Sequence, residues 1–459
     1  MKIPPSTTHD QNIWLRVGTL LDGTSTTPAR DAHVVYNGTA IQFVGREGRT
    51  PPRELLRPGQ DKPDVDAPEC TLLPGLIEAH AHLFLEGGEL ALDKRAAYIK
   101  QPADVLLAAA HTRLGKLVRL GVAGVRDAGD KNGVGLALSA LYKRTQAFSV
   151  AGVADPGLPC VALAKDGPAS ARPATGLSVC PLMPYVDSPG SAIHHRGRYG
   201  SFMGDPLEEY ASLRDCVEAR VKAGADRIKL IPTGIIDFKK AQVTSQPQMN
   251  LDEVTQLVAA AKAFNRQTFA HASGDAGIEH VIEGGVDSVE HGFFVRDDQL
   301  ARMRDRRTAW VPTFAPVQEQ IDHAHLMGWS EEIAANLRGI IERHSASLVR
   351  AHALGVLIVA GSDAGSVGVA HGIGLLNEIM LMERAGLPSI AVINAATGVG
   401  ANRFGYKEKF GRIEPGCLSR FILTTHSPLA TVANLRKPRT IVFDGQVFET
   451  GETTEDKGL

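Results

Sequence analysis

The stretch TLLPGLIEAHAHLFLEGG, residues 71–88, is an apolar run that ends in two histidines, His80 and His82, and then in a loop with adjacent glycines. Strand side chains alternate between two faces, so positions i and i+2 project to the same side. His80 and His82 therefore share one space at the end of a buried strand. Neutral imidazole is the commonest metal ligand, and a pair on one face can begin a metal site. Two satisfied polar residues closing a strand would look the same, so the rest of the chain has to decide.

Working outward from this stretch, strands and helices alternate. The segment 207–224 places Leu213, Val217 and Val221 on one helical face and stops at Gly224; DRIKLIP then reads as a strand. Asn250 with Glu253 forms a capping-box pattern that opens a helix carrying Val254, Leu257, Val258 and Ala261. There follow QTFAHAS, a helix around Ile278–Ile282, DSVEHG, a helix over 297–306, AWVPTFA, a long helix from about 331, and GVLIVAGSDAG. This order predicts an α/β fold with a parallel sheet, with enough units to close a (β/α)8 TIM-like barrel. The flanks read differently. IWLRVGTLLDG and AHVVYNGTAIQFVG near the start, and SRFILTTHSP and RTIVFDGQVFET near the end, are strand-like, with Asn37-Gly38 and Asp444-Gly445 at hairpin positions. Both ends are expected to meet in one small β-sandwich domain. The division is 1–66, then the barrel over 67–405, then 406–459.

The 459 residues exceed what one core usually supports, which fits a large domain plus a smaller one. Charges nearly balance, with 49 basic and 51 acidic side chains, and no basic block argues for nucleic acid. The five cysteines (70, 160, 180, 216 and 417) are scattered and form no C-x-x-C pair, which reads as reduced thiols. The first residues have no long apolar core, and no run of about 18 apolar residues occurs. The expectation is a cytoplasmic protein without a membrane span.

In a (β/α)8 barrel the reacting groups sit at the C-terminal ends of the strands. The polar residues there form a specific set: His80 and His82, Lys229 in DRIKLIP, His271 in TFAHAS, His291 in SVEHG and Asp363 in AGSDAG. Each alone has a plain explanation as a surface lysine, a core histidine or a helix cap. Together, from five strands and in this order, they point to chemistry. His111, His280, His344 and His352 fall within helical segments and read as packing or solvent-facing residues.

With PGLIEAHAHL, GADRIKL, the His271 strand, GVDSVEHG, GSDAG and AATGVGANRFGYKEKFGRIEPG, the chain resembles the amidohydrolase superfamily over most of its length. It is most similar to the branch of imidazolonepropionase-like proteins and Xaa-Pro dipeptidases. The resemblance implies that His80, His82 and Asp363 bind one metal and that His271 and His291 bind a second. Lys229, as N6-carboxylysine, bridges the two. Two divalent ions roughly 3.5–4 Å apart share a hydroxide and polarise a carbonyl. Imidazole and carboxylate ligands suit zinc, with manganese or cobalt also compatible. Mononuclear members lack the bridging lysine, so Lys229 favours the two-metal hydrolases. The implied reaction is cleavage of an amide bond, with Asp363 as the catalytic proton carrier, in a homo-oligomer as is common in the family. Cyclic amides or imides, lactones and phosphotriesters are alternative substrates for the same metals. A binding protein without catalysis would need broken ligands, and all six are intact.

Two segments depart from the branch's pattern beside the substrate: IPTGI after Lys229, and HASG at His271. The Gly-, Pro- and Ser-rich segment from Asp155 to Pro206 is expected to be a substrate-covering loop. Within it, IHHRGRYGSFMG places His195, Arg198 and Tyr199 near the mouth, where a guanidinium fork and a phenol suit a carboxylate. His371, after Asp363, is a further candidate for the pocket lining. The substrate expected on this reading is a small carboxylate-bearing amide, an N-acyl amino acid or a dipeptide such as Xaa-Pro.

Overall fold

The structure is a computed structural model that describes residues 11–150, 182–406 and 409–453. The first apolar alternations become β1 (Ile13–Leu20), β2 (Ala29–Tyr36), β3 (Ile41–Gly45) and β4 (Val65–Pro74). At Gly75 the apolar run breaks, and its second half is β5 (Leu76–Ala81), which carries His80. β5 pairs parallel with β6 (Val122–Asp127), and β6 with β7 (Tyr185–Asp187). A second parallel sheet is made of β8 (Ile228–Leu230), β9 (Thr268–Ala272), β10 (Ser288–His291) and β11 (Ala309–Val311), in that order. The chain closes with β12 (Arg420–Thr424), β13 (Arg439–Phe443) and β14 (Gln446–Thr450). These three join the first four strands in one sheet of order β14-β13-β12-β4-β1-β2-β3, so both flanks of the chain share it.

The strands of the two parallel sheets are short and buried at every position, as expected where helices cover a sheet. Asn250 accepts from the Glu253 N–H and Glu253 from the Asn250 N–H, both at 2.9 Å, so the capping box forms. It opens the helix Leu251–Ala263, which buries Val254, Leu257, Val258 and Ala261. Asp444 and Gly445, with φ of 47° and 82°, form the expected two-residue turn. The Asn37 hairpin is longer than expected. Its loop spans four residues because the Asn37 carboxamide oxygen accepts from the N–H groups of both Thr39 and Ala40.

GVLIVAGSDAG is extended but is not a regular strand. Leu357 O accepts from Trp310 N at 2.8 Å, and Ala360 O and Ala364 O accept from Ala79 N (3.1 Å) and His82 N (2.7 Å). Between them the ladder is interrupted because Ser362 N donates to the Glu78 carboxylate at 2.8 Å instead. On the opposite side, Ile193 N donates to Lys229 O and Ile231 N to Ile193 O, both at 2.9 Å. Backbone bonds thus leave both ends of the parallel sheets. Of the expected covering loop, 155–181 lie outside the described residues; 193 and 194 bridge to Leu230 and Pro206. Among the described residues, no helix is long and apolar enough to cross a membrane.

Arg420 ties the large sheet to the parallel strands. Its Nη2 donates to Asp444 Oδ2 at 2.6 Å, its Nη1 donates to Ala123 O of β6 at 3.2 Å, and it lies over the Phe443 ring. Asp444 is partly exposed, so removing Arg420 costs the charge-assisted hydrogen bonds between them, about 1.5–3 kcal/mol. Arg420→Met should lower the urea midpoint accordingly. Arg16→Met, which removes an exposed pair with Asp31, should leave the midpoint essentially unchanged.

Candidate metal centre

β5 ends with His80 buried and His82 just beyond it, and the extended segment beside β5 delivers Asp363. One ligand atom from each of these three residues can be chosen so that all lie within 4.8 Å of one another. Asp363 Oδ1 lies 3.4 Å from His82 Nε2 and 3.7 Å from His80 Nε2. That oxygen is buried with no hydrogen-bond partner. An orphaned buried acceptor costs about 1–3 kcal/mol, and a cation at this point would satisfy it. Burial holds all four histidines of the site neutral: His82 titrates near 3 and His271 near 4, with His80 and His291 also well below the usual range. Burial also pushes the Asp363 carboxyl up to about 7. Neutral imidazoles and an orphaned carboxylate oxygen are a donor set that fits a divalent cation.

The ring nitrogen facing away from the trio is fixed in each case. His80 Nδ1 donates to Glu290 Oε2 at 2.6 Å, and His82 Nδ1 donates to Gly129 O at 3.3 Å. Such outer partners set the tautomer and leave Nε2 for the metal. His291 Nδ1 pairs with the Thr313 hydroxyl at 2.7 Å. The His291 ring lies 5.1 Å from that of His80 and 4.5 Å from that of His271, so the four imidazoles form one continuous row. His271 differs in that its Nε2 donates to Gly234 O at 3.2 Å, leaving Nδ1 free. Lys229 is buried with its ammonium over the Phe269 ring, and that ammonium makes no ion pair or hydrogen bond with described residues. Burial lowers its pKa to about 8.

Three site residues hold left-handed backbone: His291 (φ 67°), Thr313 (51°) and Asp363 (55°). Such conformations cost of order 1–3 kcal/mol each and persist only where the surroundings enforce them. At His291 the enforcing group is visible. Trp310 Nε1 donates to His291 O at 2.9 Å, and a Cβ on Gly292 would lie 2.5 Å from that nitrogen. The glycine of VEHG is therefore required by the indole.

The candidates for substrate contact separate. Arg198 and Tyr199 line a cavity of about 460 Å³, and the Tyr199 ring sits 5.2 Å from that of His271. His195 is turned away, with Nδ1 on Glu208 at 2.7 Å and Nε2 on Glu253 at 3.1 Å. His371 is not in the cavity lining either; its Nε2 donates to Leu85 O at 3.0 Å. Both nitrogens of His195 thus meet protein partners, whereas Nδ1 of His371 is buried without one among the described residues. His344 packs face to face on Phe293 at 4.0 Å, and His280 bonds Met249 O. The residues missed by sequence reasoning are Glu290 and Arg126. Arg126 donates to Glu290 Oε2 at 2.7 Å, to Ser288 Oγ at 2.8 Å and to Ala79 O at 2.6 Å. The available signal was a charged residue inside an apolar strand, in SVEHG and GVRDAG.

A profile of the Amidohydrolase family matches residues 71–448, and the chain belongs to that family. An uncharacterized protein of Mycobacterium tuberculosis is 26% identical over 215 residues, 47% of this chain and 56% of that protein. The match thus spans little more than half of that relative. Ochratoxinase of Aspergillus niger is 24% identical over 442 residues, 94% of this chain and 84% of the relative. A solved structure of a Xaa-Pro dipeptidase with bound methionine shares the fold, with a TM-score of 0.72, 24% identity, and coverage of 96% of this chain and 100% of that one.

If Glu290 fixes the His80 ring, Glu290→Gln should weaken divalent metal binding about 10–100-fold while the protein remains folded. Competition with a chromophoric chelator measures this directly; unchanged affinity would remove Glu290 from the centre.

Proposed function

We propose that this protein is a binuclear metal-dependent amidohydrolase cleaving the amide bond of a small carboxylate-bearing molecule, an N-acyl amino acid or a dipeptide. The observation that carries this reading is the convergence of His80, His82 and Asp363 around an orphaned carboxylate oxygen, continued by the row of His291 and His271. In this reading the first three residues hold one ion and the two histidines hold the other. Lys229 bridges them as N6-carboxylysine. An ammonium buried here would repel both cations, whereas carboxylation makes it a two-oxygen anion. Zinc suits the donor set, as do manganese and cobalt. When bound, the ions would supply an acidified water and a Lewis acid for the scissile carbonyl.

The chain's own groups do the rest. The Asp363 carboxylate, through the oxygen not turned to the cation, would take the proton of the attacking water and deliver it to the leaving nitrogen, which is general acid–base catalysis. Glu290 and Gly129 keep the imidazoles of His80 and His82 in one orientation. Arg198 spends Nη2 on Gln246 O at 2.7 Å, and we assign the rest of its guanidinium and Tyr199, which line the cavity together, to the substrate carboxylate.

We further read the two parallel sheets, with 357–364 between β11 and β5, as one closed (β/α)8 barrel. The backbone bonds at Ile193, Leu357, Ala360 and Ala364 support closure. The seven-stranded sheet is read as the β-sandwich domain. The division proposed is 1–66, 67–405 and 406–459, and β4 runs across its first boundary, from Val65 to Pro74. The names of the relatives, an ochratoxinase and a Xaa-Pro dipeptidase, support amide cleavage.

A panel of dipeptides and N-acyl amino acids assayed with metal-loaded protein tests the proposal. Asp363→Asn should keep the native circular dichroism and lose roughly 10²–10⁴-fold in kcat. Near-parental turnover in that variant would end the assignment.

A further inference from the structure

The cavity beside His271 carries information about the substrate that the metal centre does not. It joins the site directly: Gly234 O accepts from His271 Nε2, and Tyr199 stands over the same ring. A substrate whose scissile carbonyl lies among the histidines would extend one of its ends into this space. Gly234 lies at this junction, where its carbonyl meets His271 and a Cβ would lie 2.6 Å from Ser245 Oγ.

The far wall is the segment 234–248, which follows β8. It is a built wall. Asp237 bridges Gln242, and Asp237 Oδ1 accepts from the N–H groups of Lys239 and Lys240. Asn336 Nδ2 donates to Phe238 O and Lys239 O at 3.1 and 2.9 Å, and Arg343 donates to Ala241 O. Across the cavity, Gln248 Nε2 donates to Tyr199 O at 3.0 Å, fixing the two walls relative to one another. On this wall Ile235 is 59% exposed while its neighbour Ile236 packs into the cluster of Phe293, Val317, Leu337 and Ile340. A rigid wall that turns a large aliphatic side chain into a site-linked cavity has an apolar contact to make with something other than the protein itself. A volume of about 460 Å³ also exceeds what a small acyl group fills, and lies in the range of drug-sized ligand sites.

We infer that this cavity is the specificity pocket for a bulky apolar group, aromatic or branched aliphatic, on one side of the scissile amide, with Ile235 and Ile236 as the residues that select it. The inference rests on the amidohydrolase reading for its substrate, and its test separates the two. Two series are compared, each with an N-acetyl-2-naphthylalanine and an N-acetylalanine member, so that the varied group and the carboxylate lie on the same side of the amide. One series consists of the amides; in the other, the amide is replaced by a non-hydrolysable methyleneamine. Calorimetry on the second series requires no turnover.

The naphthyl member should bind at least about tenfold more tightly than the small one, the scale expected for filling an apolar pocket. Ile235→Ser, on the exposed wall away from the histidines, should cut that ratio at least about threefold with metal content unchanged. Selective binding without hydrolysis of either amide would uphold the pocket and reject the reaction. Hydrolysis of both amides with equal binding of both isosteres, or with a ratio untouched by Ile235→Ser, would uphold the reaction and overturn the pocket.

Discussion

The buried carboxylate of Glu290 is the constraint around which the candidate metal centre is arranged. One oxygen accepts from Arg126 at 2.7 Å and from His80 at 2.6 Å, and the other accepts from Ser288 Oγ at 2.6 Å. A charge taken this far from water persists only when it is paired and fully hydrogen-bonded. Arg126 meets the same requirement by donating to Ala79 O and lying between the Phe269 and Phe404 rings. The network therefore locks β5, β6 and β10 together at the level where His80 leaves β5. The same group that neutralises Arg126 also dictates which nitrogen of His80 is free for a cation.

Around this fixed point the site stores strain rather than relieving it. His291, Thr313 and Asp363 all adopt left-handed backbone, and Thr313 is β-branched, the residue type least suited to it. The His291–Thr313 bond and the Trp310 indole hold two of them in place. Asp363 is held by its own N–H, which donates to His80 O at 2.7 Å. The backbone of one ligand thus sets the position of another, and a displacement of β5 would move both.

Much of this was legible in the sequence, for physical reasons. An apolar run that ends in a polar residue reads as a strand delivering that residue to the mouth of a sheet, and His80, Lys229, His271 and His291 all lie on such strands. The capping box at Asn250 and the Asp444-Gly445 turn are local patterns and form as written. What was not legible depends on distant partners. Glu290 meets His80 from 210 residues away. His195 looked like a substrate ligand until Glu208 and Glu253 took both of its nitrogens. The stretch through Val359 read as a strand, but Glu78 claims the Ser362 N–H that a neighbouring strand would have bonded. The segment 234–248 has no periodic signature, and its role as a wall emerges only from the contacts of Asn336 and Arg343 with its carbonyls.

The central claim is a two-metal centre joined through Lys229. Elemental analysis of protein loaded with zinc in bicarbonate buffer, compared with Lys229→Ala prepared identically, addresses it most directly. The account predicts about two ions per chain in the parent and at least one fewer in the variant, since the bridge contributes to both positions. One ion per chain in the parent, unchanged by Lys229→Ala, would contradict it.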